Sequence, residues 1–105
     1  MIEEVKTMAT ALSETAIQSA LDALPDWVYA GGTISKTYKF PQYLAGVAFA
    51  SAVGVLCEGF DHHPDMTIGY RKVRVELTTH DAGNAVTQKD IDVALAIENL
   101  GYPKR

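Results

Sequence analysis

Apolar residues recur along this chain with two different periods, and the changes from one to the other divide it into seven elements. In "LSETAIQSALDALPDW" the positions Ala16, Ile17, Ala20, Leu21 and Leu24 follow a helical spacing. Ser13 stands where an N-cap belongs, Leu12 and Ile17 are placed as a hydrophobic staple, and Pro25 closes the helix. The next stretch, "WVYAGGTISKTYKF", holds two β-favouring runs around Gly31 and Gly32, residues that tolerate the positive φ of a tight hairpin.

Pro41 suits the first turn of a second helix over "PQYLAGVAFASAVGVLCEGF". That helix is apolar around too much of its circumference for a surface helix, so it is expected to be buried, and its Ala, Gly and Ser residues permit close approach of another element. It should end near Phe60, because Pro64 cannot continue it and favours an extended His63. In "MTIGYRKVRVELTTH", Val73, Val75 and Leu77 alternate with Arg74, Glu76 and Thr78, the period of a strand with one wet face. After the loop "DAGNAV", Thr87 and Asp90 are spaced as a capping box, Ile91, Ala94, Leu95 and Ile97 form a stripe, and Gly101 marks a stop. The predicted order is α-β-β-α-β-β-α. Two hairpins and three helices imply an α+β fold with an antiparallel sheet and helices on one face.

Composition narrows the function classes. At 105 residues the chain fits one domain, with about residues 1–11 reading as a flexible N-terminal extension. A formal charge of -4 gives no general attraction to nucleic acid or to anionic membranes, so neither is expected as a partner. The single cysteine, Cys57, has no intrachain disulfide partner, "MIEEVKTMAT" lacks the pattern of an export signal, and "LAGVAFASAVGVLC" is short for a membrane span. A cytoplasmic protein is the expectation.

All three histidines lie in or beside the second hairpin. His62 and His63 precede its first strand and His80 follows its second, so antiparallel pairing brings them within reach. Imidazoles titrate near neutral pH, and a cluster of them can supply an acid and a base together. A metal shell completed by Glu58, Asp61 or Asp90 is the rival chemistry, although adjacent histidines converge on one ion only with a special turn. A solvated loop rich in titratable groups is the third reading.

The longer pattern E-x3-HHP-x5-Y-x9-H runs from Glu58 through His62, His63, Pro64 and Tyr70 to His80, and "TTHDAG" and a T-x-x-D helix start follow. Together with the upstream "LPDWVYAGGTISKTYKF", it resembles the pterin-4a-carbinolamine dehydratase family over nearly the whole chain after about residue 12. The resemblance implies a four-stranded antiparallel sheet with helices on one face, and assembly as a homodimer or homotetramer. It implies a hydro-lyase that converts 4a-hydroxytetrahydropterin to quinonoid dihydropterin, supporting tetrahydropterin recycling with no metal and no redox cofactor. The catalytic role falls on His62, His63 and His80. One of the first two would protonate the 4a-hydroxyl while His80 handles the complementary transfer.

The substrate-lining segments match Asp61, His62 and His63 on one side and Thr78, Thr79, His80 and Asp81 on the other. Glu58 and Asp90 are expected to orient imidazoles or bond the pterin's amide and amino edge, although Glu58 also suits a helix end and Asp90 a capping box. Pro64 reads as scaffold, and Tyr70 and Trp27 as core aromatics. Two departures stand out: Met66 occupies a position where many relatives carry an aromatic, and the loop after His80 is one residue longer than the common form, which unsettles the placement of Asp90. Some relatives act as dimerisation cofactors of a homeodomain transcription factor, so a non-catalytic interaction protein is the alternative.

Overall fold

The computed structural model describes residues 10–102, and the expectation for residues 1–11 therefore falls outside it except at Thr10 and Ala11. The elements are α1 (Glu14–Leu21), β1 (Val28–Ala30), β2 (Thr33–Lys39), α2 (Tyr43–Phe60), β3 (Asp65–Ile68), β4 (Lys72–Leu77) and α3 (Gln88–Glu98), with a 3-10 turn over His80–Ala82 before α3. This is the order the periodicity predicts. The strands form one antiparallel sheet in the order β1-β2-β4-β3.

Local chemistry accounts for most boundaries. The Ser13 hydroxyl accepts from the Ala16 amide at 3.1 Å and caps α1, while i to i−3 bonds tighten the chain from Asp22 to Leu24 before Pro25. Gly31 and Gly32 turn the first hairpin at φ values of 61° and 79°. Thr87 and Asp90 form the expected capping box at the start of α3. Pro41 differs from its predicted place: Gln42 is the N-cap of α2, so the proline lies outside the helix instead of in its first turn.

One sheet face carries Ile34 and Tyr38 from β2 and Val73, Val75 and Leu77 from β4, all buried with Phe49, Val53, Ile91 and Ile97 from the helices. Thr37 and Arg74 on the opposite face are exposed, which confirms helices on a single side. Trp27 joins the core as predicted, but Tyr70 does not: it sits in the β3–β4 turn and is 76% exposed. The core also holds a charge. Lys36 points inward from β2 and its Nζ lies 2.7 Å from Glu98 Oε2, which also accepts from Trp27 Nε1 at 3.1 Å and from the Tyr38 hydroxyl. Burial pushes the Glu98 carboxyl up, but the hydrogen bonds from Lys36, Tyr38 and Trp27 and the lysine charge outweigh it and hold the group below the usual glutamate range.

Helix α2 departs from its predicted burial. Gly46, Phe49, Ala50, Val53 and Cys57 form a stripe against the sheet, whereas Leu44 is 70% and Val55 76% exposed. A single sheet layer covers only one side of a helix, so the other apolar side of α2 lies open. The 18 residues of α2 match a membrane span by length and composition, yet the buried stripe is part of the domain core.

Candidate active site

The sheet brings the histidines to one end. Asp61 closes α2 in a left-handed conformation (φ 52°), and this turn sends His62 and His63 into the approach to β3. β3 then pairs with β4 from Asp65 opposite Glu76, and continuing that register past the strand ends sets His63 across from Thr78. His80 follows directly in the 3-10 turn. A cleft of about 380 Å³ opens between these segments, lined by Asp61, His62, His63, Pro64, Asp65, Thr78, Thr79, His80, Asp81 and Lys89.

Seven of the nine residues singled out in the sequence line this cleft: Asp61, His62, His63, Thr78, Thr79, His80 and Asp81. The other two stand behind the imidazoles. Asp90 is fully buried, and its Oδ1 lies 2.6 Å from His62 Nε2. Its Oδ2 accepts from the Thr87 amide at 2.9 Å and from the Thr79 hydroxyl at 2.8 Å. Capping the helix and holding the imidazole, two readings that compete in the sequence, are therefore met at once by the two oxygens of one carboxylate. The longer loop does not displace Asp90 from the site.

A carboxylate only accepts, so in this arrangement the His62 Nε2–H donates to Asp90, which fixes the ring's orientation. Thr79 is 3% exposed, and its hydroxyl meets that of Thr87 at 2.8 Å, which in turn accepts from the Lys89 amide at 3.2 Å. A continuous row of hydrogen bonds thus backs the carboxylate, leaving no buried side-chain polar atom unsatisfied among the described residues.

His63 is held differently. Its Nε2 lies 2.8 Å from Glu58 Oε1 in the last turn of α2, with both side chains largely open to water. His80 Nδ1 lies 2.7 Å from the amide oxygen of Asn84.

Sequence reasoning missed Lys89 on the rim and Asn84 behind His80; a side chain four residues beyond a histidine in a loop carries no periodic signal. Met66 does not line the cleft but packs against the core from the inner face of β3. Cys57 lies next to Glu58 in sequence but is buried, and burial pushes its thiol up, so it offers no thiolate here. Among the described residues no three His, Cys, Asp or Glu side chains group as a metal shell requires.

Comparison with known proteins agrees with this architecture. The profile described as pterin 4 alpha carbinolamine dehydratase matches residues 10–100. A protein of Natronomonas pharaonis, whose name assigns it provisionally to the pterin-4-alpha-carbinolamine dehydratases, is 50% identical over 93 residues, covering 89% of this chain and 98% of its own. A similarly named protein of Roseiflexus sp. is 44% identical over 93 residues, covering 89% of this chain and 99% of its own. The crystal structure of a transcriptional coactivator/pterin dehydratase from Brucella melitensis superimposes with a TM-score of 0.80 at 30% identity, covering 87% of this chain and 98% of that one. A pterin dehydratase-like protein described as a RuBisCO assembly factor in the alpha-carboxysome shares the fold, with a TM-score of 0.62 at 22% identity over 76% of this chain and 94% of that one.

Proposed function

The chain belongs to the pterin 4 alpha carbinolamine dehydratase family, and from that premise we propose that it dehydrates 4a-hydroxytetrahydropterin to quinonoid dihydropterin and water by histidine acid/base catalysis. The observation that carries this reading is the meeting of three imidazoles on one cleft, each with one ring nitrogen engaged by a side chain behind it. In the reaction the bond from C4a to the hydroxyl oxygen breaks and the lone pair of N5 forms the C4a=N5 double bond. An acid delivers a proton to the departing oxygen while a base takes the proton from N5. Water leaves, and nothing is oxidised or reduced. A positioned acid or base contributes ~10² to 10⁴-fold each.

His62 and His63 supply the acid side and His80 the base in this proposal. Asp61 and Asp81 face the cleft as acceptors suited to the amino and amide donors of a pterin ring. Asp90 and Glu58 act through the imidazoles they hold. No metal or redox cofactor takes part, and the site of action is the cytoplasm, where recycling of tetrahydropterin would use this step.

Turnover of chemically generated carbinolamine tests the reading. Acceleration above the spontaneous rate is expected, with a loss of at least about tenfold in each of His62→Ala, His63→Ala and His80→Ala, and no effect of a chelator. Unchanged rates in all three variants, with circular dichroism confirming the fold, would overturn it.

The open side of α2 favours a second property, assembly into a homodimer or homotetramer. Leu44 and Val55 share one face with Ala48, Ser51 and Ala52, all exposed. Contiguous apolar surface of this kind marks an interaction site. Light scattering is expected to report a dimer or tetramer that Leu44→Glu and Val55→Glu together dissociate; a monomeric wild-type protein would exclude it.

A further inference from the structure

The loop between the 3-10 turn and α3 carries one side chain, Asn84, that contacts a histidine of the cleft from outside it. Gly83 (φ 74°) and Asn84 (φ 60°) are two successive left-handed residues, and they turn the chain back so that the Asn84 amide reaches His80. Asparagine tolerates this conformation better than most side chains. The loop is pinned from both sides: Thr79 exchanges backbone bonds with Ala85, and the Asn84 amide N–H donates to the Thr79 carbonyl at 3.1 Å. The first hairpin presses against it as well. A Cβ placed on Gly32 would fall 2.2 Å from the Asn84 carbonyl oxygen, so only glycine permits this approach, and Thr78 Oγ1 anchors the same hairpin by donating to the Gly32 carbonyl at 2.7 Å.

The contact between His80 and Asn84 decides which ring nitrogen presents its lone pair. The amide oxygen only accepts, so the His80 Nδ1 carries the hydrogen in the 2.7 Å bond. In the neutral ring Nε2 is then the unprotonated nitrogen, and no other described residue hydrogen-bonds the imidazole. Asn84 itself does not line the cleft, whereas His80 does. His62 and His63 differ: each engages Nε2 with a carboxylate. The three rings are thus anchored in two ways, two through Nε2 on acidic partners and one through Nδ1 on a neutral amide.

We propose that Asn84 is a positioning residue that locks His80 in the Nδ1–H tautomer and so commits its Nε2 to accept the substrate's proton, making His80 the base of the trio. This rests on the dehydratase reading for its catalytic meaning, but the tautomer itself can be read without turnover.

Nitrogen-15 NMR of the histidine rings in mildly alkaline solution is the test, made on wild type, Asn84→Gly and Asn84→Asp. Glycine suits the left-handed backbone and removes only the amide, while aspartate keeps an acceptor at the same place. The expected results are an Nδ1–H tautomer for His80 in wild type and Asn84→Asp, a shift toward the Nε2–H form in Asn84→Gly, and unmoved signals from His62. In the dehydration assay Asn84→Gly should lose about tenfold in kcat with little change in KM, a part of what a positioned base provides, and Asn84→Asp should recover most of it. An Nε2–H tautomer in the wild-type protein, or one unchanged by Asn84→Gly, would overturn the proposal. If wild type fails to turn over carbinolamine while the tautomer responds as described, the dehydratase reading fails and the Asn84 contact stands.

Discussion

His62 and His63 are neighbours in sequence, and each pairs Nε2 with a carboxylate, yet the two pairs stand in different surroundings. The side chains of His62 and Asp90 are 11% and 0% exposed, whereas those of His63 and Glu58 are 57% and 78% exposed. In the first pair the carboxylate has further donors from Thr79 and Thr87, and little water competes. In the second, water and salt screen the attraction, and two mobile side chains lose entropy to hold one geometry. Similar distances, 2.6 and 2.8 Å, therefore do not mean similar energies. The buried pair fixes one wall of the cleft, and the exposed pair biases a ring that can still move.

Substitution of Asp90 gives the largest expected effect. Asp90→Ala removes the capping box and leaves the Thr87 amide, the Thr79 hydroxyl and His62 without their acceptor, so a loss of about 3 kcal/mol or more in urea unfolding is expected. Dehydration should fall with it. Asp90→Asn, which keeps the shape, should unfold less easily than Asp90→Ala while still turning over slowly; a wild-type rate in Asp90→Asn would contradict the role given to this pair.

Glu98 sharpens the comparison, since it ends the same helix that Asp90 begins and is 9% exposed, but it holds Lys36, Trp27 and Tyr38 instead of an imidazole. Glu98→Gln should cost about 1–3 kcal/mol in stability and leave kcat of the folded protein unchanged. Its folded carboxyl is held below the unfolded value. The stability it contributes is thus present above the ordinary glutamate range and is lost as pH falls through the lower, folded value. Acid unfolding followed by tryptophan fluorescence should show this loss in wild type and a weaker pH dependence over that window in Glu98→Gln.

The smallest effect belongs to the exposed pair. Glu58→Gln should change stability by within about 0.5 kcal/mol, and the same difference should shrink as salt is added. A large, salt-independent loss would show that water does not screen this pair.

Much of this arrangement was legible in the sequence, and the boundary of what was legible has a physical meaning. Caps, hairpin glycines and alternating strands are short-range, so Ser13, Gly31, Thr87 and the run from Val73 to Leu77 announced themselves. The gathering of three histidines followed from antiparallel pairing alone. Contacts between distant side chains did not follow: nothing in the pattern joins Lys36 to Glu98 across 62 positions. The choice between capping and imidazole support at Asp90 was unreadable because the structure uses both. The apolar belt of α2 suggested full burial, since periodicity reports how apolar a face is and not which neighbour covers it; Tyr70, assigned to the core by residue type, lies in a turn.

The most direct test of the central claim is a crystal structure with a non-reactive dihydropterin analogue. The ring is expected in the cleft between Asp61–Asp65 and Thr78–Asp81, with its C4a and N5 atoms within hydrogen-bonding reach of the imidazoles and His80 Nε2 facing N5. An analogue bound elsewhere, or lying in this cleft with all three rings turned away from C4a and N5, would contradict it.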